Sequence, residues 1–361
     1  MALKDRIPLY SKRQLDEAGQ VLIRKSSKFS LVESVSMLNN HRSCHAYPLN
    51  TFQSTLRDKI RSLKIESIVS QRLKRTTSIL DKLERFSQMK LSRMQDVGGL
   101  RVVLTNCDDV YRLAGKYKHP GFPHRLKSEK DYINNPKDSG YRCYHLVYEY
   151  SNSINRNYDG LMLELQIRTK LQHAWATAVE TVGTFLDHSL KSSQGPQEWL
   201  DFFSLVSHAF TYVEKTNGLD KFSDETQEST FKKVKSEARR LGVINKLMAF
   251  SQVIKNVTTD KRQGSIHLVV LNIADAQVTI KTYSKAAIDQ ASDDYMQEEA
   301  TITPENKKQV VLVSSDSIEL LKKAYPSYFL DTQEFLSQLQ LIIDTRFTHR
   351  QIKPFEGHSD F

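Results

Sequence analysis

The chain has only three cysteines in 361 residues, Cys44, Cys107 and Cys143, with no CxxC pair among them. That excludes a cysteine-built zinc site and gives no disulfide framework, so the thiols are expected to be reduced and structural. No run of eighteen apolar residues occurs, and charge interrupts residues 1–50 throughout. Neither a membrane-spanning helix nor a secretion signal is therefore expected, and the protein reads as cytoplasmic with no membrane partner. Internal repeats, coiled-coil heptads and long low-complexity tracts are also missing.

What is present suffices for globular folding: 39% of residues are hydrophobic, and the length suits two or three compact domains. The net charge of +10 points to polyanionic partners. Its distribution says more. From Lys116 to Arg142 there are seven Lys/Arg against three acids, whereas from Asp289 to Glu305 there are six acids and no Lys or Arg. The first stretch attracts phosphates, and the second is its electrostatic complement.

Periodicity gives an organisation. The N-terminal region 1–50 reads as helical, with Pro48 and Asn50 interrupting before an amphipathic run from Thr51. Ser67–Lys74 reads as a strand, and Thr76 or Thr77 is positioned to cap a helix running to about Arg93. Strands are expected at Leu100–Thr105 and Tyr144–Tyr150, with a loop rich in Lys, His and Pro between them. The stretch Asp187–Gln197, containing Ser192, reads as a turn or loop, and Trp199–Lys215 and Thr226 to about Lys255 read as helical. The character changes at Gln263 and Gly264. Beyond lie strands Ser265–Asn272, Ala276–Tyr283 and Gln309–Ser314, and helices Lys285–Glu299, Ser317–Ala324 and Thr332–Leu339. The divisions are thus 1–50, 51–262 and 263–361, the middle one a mixed α/β domain and the last a small α/β module.

One segment carries chemistry on its surface. Met162, Glu164, Gln166 and Arg168 alternate with Leu161, Leu163, Leu165 and Ile167, so one strand buries an apolar face and presents a carboxylate, an amide and a guanidinium on the other. The helix Lys170–Leu186 then carries His173, Thr177 and Glu180 on one side. An edge strand followed by an ordinary amphipathic helix explains the same periodicity.

Four motifs in order break that tie: RLKRTTSILDK with Arg72, Lys74, Ser78 and Lys82; QDVGGLRVV with Asp96; NPKDSGYRCYH with Lys137, Gly140, Tyr141 and His145; and LELQIRTKLQHAWA with Glu164, Gln166, Arg168, Gln172 and His173. Together they resemble the synthetase domain of the RelA/SpoT pyrophosphokinases, over roughly 39–182. The resemblance implies a nucleotidyltransferase-like mixed sheet flanked by helices, with ATP as donor. It implies that Arg72, Lys74, Ser78, Lys82 and Arg168 bind ATP, and that Asp96 and Glu164 hold Mg2+. Glu164 is also the candidate proton acceptor, with Gln166 and His173 orienting it. Tyr141, exposed by a flexible Gly140, is the candidate platform for the acceptor base. Lys137, Arg142, Arg125, Lys127 and Lys130 complete the acceptor side. Read singly, the cations are a solvated stripe, Asp96 a turn residue, and Tyr141 a ring packed beside Tyr144.

No HD pair with a following ED precedes Arg72, so alarmone hydrolysis is not expected. The C-terminal module holds no cysteine, so it is no true zinc finger, and it carries Tyr325-Pro-Ser-Tyr328 after a short helix. This combination resembles the CapRel group of fused toxins and antitoxins, in which a pseudo-zinc-finger folds back on a toxic small alarmone synthetase. That resemblance implies an intramolecular antitoxin whose YxxY tyrosines, Tyr325 and Tyr328, fill the adenine pocket. It also implies a phage trigger, typically the major capsid protein or another structural protein, and pyrophosphate transfer from ATP to the 3′-OH of the tRNA CCA end. The alternative is a small alarmone synthetase making (p)ppGpp from ATP and GDP or GTP, with a regulatory C-terminal domain. A catalytically dead nucleic-acid-binding module would show gaps among the phosphate and metal residues, and none is seen.

Overall fold

The computed structural model describes residues 6–119, 121–186, 190, 193–254, 256–260, 264–303, 308–315 and 317–347. Asp187, Ser192, Lys255, Gln263 and Glu305, which figure in the sequence reading, lie outside them.

The N-terminal region is helical, as its sequence indicates: α1 (Lys12–Leu22), α2 (Leu31–Cys44) and α3 (Ala46–Leu63). Pro48 does not interrupt α3, because it lies in the first helical turn, where its missing N–H has no intrahelical partner to lose. Strand β1 (Ser67–Leu73) leads into α4 (Thr76–Arg85), which ends well before Arg93. Next come β2 (Gly98–Leu104), α5 (Cys107–Tyr117), β3 (Arg125–Asp131), β4 (Tyr144–Glu149), β5 (Met162–Thr169) and α6 (Lys170–Phe185). Helix α5 and strand β3 replace the loop expected between β2 and β4. Strand β3 is an edge strand exposed along most of its length, so it carries none of the apolar alternation that marks a half-buried strand.

Helices α7 (Gln197–Glu214), α8 (Gln227–Arg240) and α9 (Val243–Ser251) follow, the last two separated by Gly242 at φ +62°. The C-terminal part comprises β6 (Asn256–Thr259), β7 (Ile266–Asn272), β8 (Gln277–Tyr283), α10 (Ile288–Ala300), β9 (Lys308–Ser314), α11 (Ile318–Ala324) and α12 (Gln333–Asp344).

The nine strands among the described residues form one sheet in the order β3-β4-β5-β2-β1-β9-β7-β8-β6. The fold class is therefore α/β with a mixed sheet, β2 and β5 being parallel within an otherwise largely antiparallel array. The two halves join where β1 meets β9, through the pairs Gln71↔Ser314 and Arg72↔Val313. Position 263 is not a clean division, since β6 precedes it and pairs with β8. Nor do residues beyond 263 stand apart. Phe335, Leu339, Ile342 and Ile343 of α12 are buried in the same core as α6, α7 and α8.

On one face of the sheet, Phe52 and Leu56 of α3 pack with Val110 and Leu113 of α5 against Leu100, Val102, Leu163 and Leu165. Helix α10 continues that layer over Ile266, Leu268 and Leu312. On the opposite face, α11 and the turn after it cover Val269, Val311 and Val313. No helix among the described residues is long and apolar enough to cross a membrane, and the three cysteines are unpaired thiols.

Candidate active site

The strand pairing sets the site in rows. Residues directly opposite across neighbouring strands share a face, so one row runs Lys130, His145, Gln166, Arg101, Ser70 across β3, β4, β5, β2 and β1. The adjacent row runs Val147, Glu164, Gly99, Arg72. Because Gly99 has no side chain, an open floor is left between Glu164 and Arg72. A cavity of about 40 Å³ lies there, lined by Arg72, Lys74, Asp96, Arg101, Glu164, Gln166 and Tyr325 among others. The alternation read in β5 is thus the real one.

Asp96 takes Lys74 Nζ at 2.7 Å on one carboxylate oxygen and Lys82 Nζ at 3.0 Å on the other. Burial pushes its pKa up, but the two ammonium groups outweigh burial and bring it to about 2. Lys74 moves down, its own burial outweighing the attraction of Asp96. Glu164 accepts from His145 Nδ1 at 2.7 Å and from Gln166 Nε2 at 2.8 Å. Against burial, those bonds hold the Glu164 carboxyl below its usual range. His145 is driven well above its ordinary value despite burial, with Tyr141, Cys143 and Glu164 around it. Its Nε2 lies 2.9 Å from the Tyr141 hydroxyl, which completes a chain Tyr141–His145–Glu164.

Asp96 and Glu164 face one cavity and supply hard carboxylate oxygens, the donor set that suits Mg2+ held by one or two carboxylates with substrate phosphates completing its shell. Among the described residues, no cluster of three or more His, Cys, Asp or Glu is arranged to bind a metal. The fit is to an ion that arrives with its nucleotide.

Several expected residues have other jobs. His173 does not touch Glu164; it contacts Arg168, and its Nε2 lies 3.1 Å from the Lys323 carbonyl at the end of α11. The histidine against Glu164 is His145, which stands in the third motif. Arg168 is buried, its pKa brought down to about 10 by burial and by nearby Arg101, and it lies outside the cavity lining. Ser78 is half-buried on the first turn of α4 and is also outside that lining.

Tyr141 is 9% exposed, hydrogen-bonded to His145 and packed near Tyr132 rather than Tyr144. Gly140 is no hinge: it has φ +89°, and a Cβ there would stand 2.7 Å from the Ser207 Cβ, so the turn is locked against α7. Arg142 is 3% exposed and donates to Ser207 Oγ and the Ile133 carbonyl, so it is structural. Lys137 lies over the Tyr132 and Tyr141 rings. Arg125, Lys127 and Lys130 are on the edge strand β3, where Glu149 pairs with the first two and Lys130 is exposed.

The C-terminal part contributes to the cavity lining through Tyr325. Ser317 caps α11, and Pro326 ends that helix in a 3₁₀ turn (Pro326–Phe329) that sets Tyr325 and Tyr328 on one side. Both rings are buried, at 2% and 1% exposure. Arg101 lies 5.5 Å from the Tyr325 ring centre and donates to the Ala324 carbonyl. Tyr328 sits between Arg72 and Arg75, its hydroxyl buried with no hydrogen-bond partner.

Neither Thr76 nor Thr77 caps α4. Instead Glu299 of α10 accepts from the Thr76 backbone nitrogen at 2.7 Å and from its hydroxyl at 2.9 Å, and pairs with Arg42 at 3.0 Å. The acidic helix therefore meets the N-terminal helices and α4, with Asp289 pairing with Arg6, and not the basic stretch 116–142. Arg101, Arg42 and Glu299 carry no signal at short range in the sequence, because their partners are far along the chain.

Residues 71–183 match the family described as "Region found in RelA / SpoT proteins". This stretch of the chain is similar to that region. The chain is 33% identical to the GTP pyrophosphokinase YjbM of Bacillus subtilis over 124 residues, 34% of this chain and 54% of that protein. It is 28% identical to the GTP pyrophosphokinase YwaC of the same organism over 201 residues, 55% of this chain and 84% of that one. The chain thus spans about half the length of the first of these relatives. Among solved structures, small alarmone synthetase 1 of Bacillus subtilis bound to its product pppGpp matches at 27% identity and a TM-score of 0.38, covering 47% of this chain and 87% of that one.

Proposed function

We propose that this protein is an autoinhibited pyrophosphokinase that moves pyrophosphate from ATP to a ribose hydroxyl. The observation that carries the reading is the meeting of Arg72, Lys74, Asp96, Glu164 and Tyr325 around one small cavity. Three cations, Arg72, Lys74 and Lys82, are near enough to hold a triphosphate whose charge repels an incoming nucleophile. Mg2+ bound by Asp96 and Glu164 would neutralise the phosphate charge. Glu164 is held below the usual carboxylate range, which suits a ligand better than a base poised near neutrality. His145, between Glu164 and Tyr141, is positioned to keep that carboxylate ionised and fixed.

A space of about 40 Å³ holds water, not a nucleotide. On this reading Tyr325, which lines the space, and Tyr328, buried near Arg72 and Arg75, take the place of an adenine ring, and Glu299 covers the N-terminal N–H of α4, a place suited to a phosphate oxygen. This supports a CapRel-type closed state in which the cysteine-free C-terminal part is a pseudo-zinc-finger antitoxin. A phage structural protein, the major capsid protein foremost, would release it by binding the open state better. For the acceptor we favour the 3′-OH of the tRNA CCA end. Exposed cations on β3 lie beside the catalytic row, and Lys130 is directly opposite His145. The second reading, GDP or GTP as acceptor, is favoured by the names of the matched relatives, both GTP pyrophosphokinases.

Incubation with ATP labelled in its terminal phosphates, with tRNA, GDP and GTP in parallel and candidate capsid proteins present or absent, tests both. Label on tRNA alone supports the first reading. Label on GDP or GTP alone supports the second, and no transfer to any acceptor under every condition removes the enzymatic reading.

A further inference from the structure

A second cavity, of about 340 Å³, opens on the opposite face of the sheet, over the seam where β1 meets β9. Its position follows from the strand register. Gln71 shares the face of Ser314 and of the α10 layer, whereas Arg72 shares the active face with Val313. One wall is the face of α3 that repeats at Asn50, Gln53, Arg57 and Arg61, and the other is formed by Lys285, Ile288 and Ser292 at the start of α10. The volume lies within the ordinary range for a small-molecule site, roughly 300–1,000 Å³.

We propose that this seam cavity binds a nucleoside phosphate and that the bound ligand ties the two halves of the sheet together. Arg57, Arg61 and Lys285 line it together with Arg72 of the seam, and no carboxylate does, although Arg61 also pairs with Asp58 on its own helix. An anionic group is therefore drawn there from both sides of the seam. Gln53 is 6% exposed, and its amide Nε2 is buried with no hydrogen-bond partner. Gln71 gives its own Nε2 to Asn50 and leaves Oε1 buried and unpartnered. Both atoms are closed off from the cavity in this arrangement, so they are not its recognition groups. Leu49, Ile288 and Leu312 supply apolar walls against which a planar base can lie while its phosphate meets the cations. Among the described residues two pairs join β1 to β9, so a ligand touching α3 and Lys285 at once adds to a short junction.

A ligand that needs both walls binds the closed arrangement better than an open one, and by linkage it favours the closed arrangement to the same extent. That consequence for activity rests on the closed-state reading above. Binding itself does not, and a titration without acceptor or trigger separates the two.

The test is calorimetric titration of the full chain with AMP, GMP and inorganic phosphate. At least one monophosphate should bind more tightly than inorganic phosphate. Its affinity should fall at least tenfold in Lys285→Glu, an exposed position safe for folding, and in Arg57→Ala, while Lys82→Ala on the active face changes it less than twofold. The paired change Tyr325→Ala with Tyr328→Ala should weaken binding if the open state lacks one wall. Loss of binding in Lys82→Ala together with retention in Lys285→Glu would overturn the seam site. Equal binding of phosphate and both nucleotides would overturn the ligand class, and an unchanged affinity in the tyrosine pair would overturn the coupling.

Discussion

The Glu299 carboxylate lies 2.7 Å from the backbone nitrogen of Thr76, 223 residues earlier in the chain. Helix α4 begins without a side-chain cap of its own, so its first N–H groups need an external acceptor. Glu299 supplies it, held by Arg42, which also donates to the Lys74 carbonyl and to Tyr295. A negative oxygen at a helix N-terminus is what a phosphate would provide. On the proposed reading, the closed arrangement and ATP therefore compete for the same N–H.

That competition predicts the behaviour of Glu299→Gln. The amide keeps the shape but loses charge-assisted bonds worth about 1.5–3 kcal/mol. The closed state should weaken roughly ten- to hundredfold, and a nonhydrolysable ATP analogue should bind more tightly by a similar factor. Calorimetric titration of that analogue reads this directly. Unchanged affinity would mean that Glu299 is only a structural cap.

The tyrosine pair should act more strongly. Tyr325→Ala with Tyr328→Ala removes two buried rings next to Arg72 and Arg101, opening the nucleotide cavity. Expression should arrest growth without any trigger, and adding Glu164→Gln should abolish the arrest. Truncating buried aromatics costs about 3–5 kcal/mol each, so a circular dichroism melt must accompany the assay. A folded, silent and still inducible double mutant would end the pocket-blocking idea.

How far the sequence could reach is clear from single residues. The β5 alternation puts Glu164 and Gln166 on the active face because a period of two is local, and Lys74, Lys82 and Asp96 are close enough in sequence for one strand-turn-helix to unite them. Tyr141 and Arg142 could not be judged that way. Their burial depends on Ser207 and His145, one of them on a helix 65 residues further on. Strand β3 was hidden because an exposed edge has no apolar face to betray it. The C-terminal contacts at Thr76, Arg101 and His173 depend on chain crossings that no short-range pattern encodes.

Arg142 makes this distinction measurable. If it served the acceptor, Arg142→Ala would weaken acceptor use while leaving stability alone. Its bonds to Ser207 and Ile133 predict the reverse order of effects: removing a buried, hydrogen-bonded cation should cost about 1.5–3 kcal/mol of stability. Urea unfolding should show a lower midpoint before any kinetic defect is interpreted. Lys127→Glu with Lys130→Glu on exposed β3 should leave stability nearly unchanged. It should reduce transfer to tRNA far more than to a mononucleotide, with a shallower salt dependence.

The carboxylates give the stability a defined pH dependence. The pKa of Asp96 falls to about 2 on folding, so its contribution is fully present above the unfolded value near 4 and disappears as pH falls toward 2. That contribution is at most about 2 kcal/mol, because Lys74 loses part of it through its own burial. His145 has the opposite sign. Its raised value contributes stability that is complete below about 6.5 and is lost only as pH climbs through the folded value, well above neutrality. Thermal melts from pH 2 to 9 should therefore show a plateau between about 4 and 6.5, falling on either side. Asp96→Asn should flatten the acid limb, and Glu164→Gln, which removes a partner of His145, should flatten the alkaline one. Both changes should also reduce pyrophosphate transfer by orders of magnitude, since each removes a charge from the phosphate assembly. An acid limb that is unaltered in Asp96→Asn would show that the Lys74–Asp96–Lys82 cluster does not hold the folded site together.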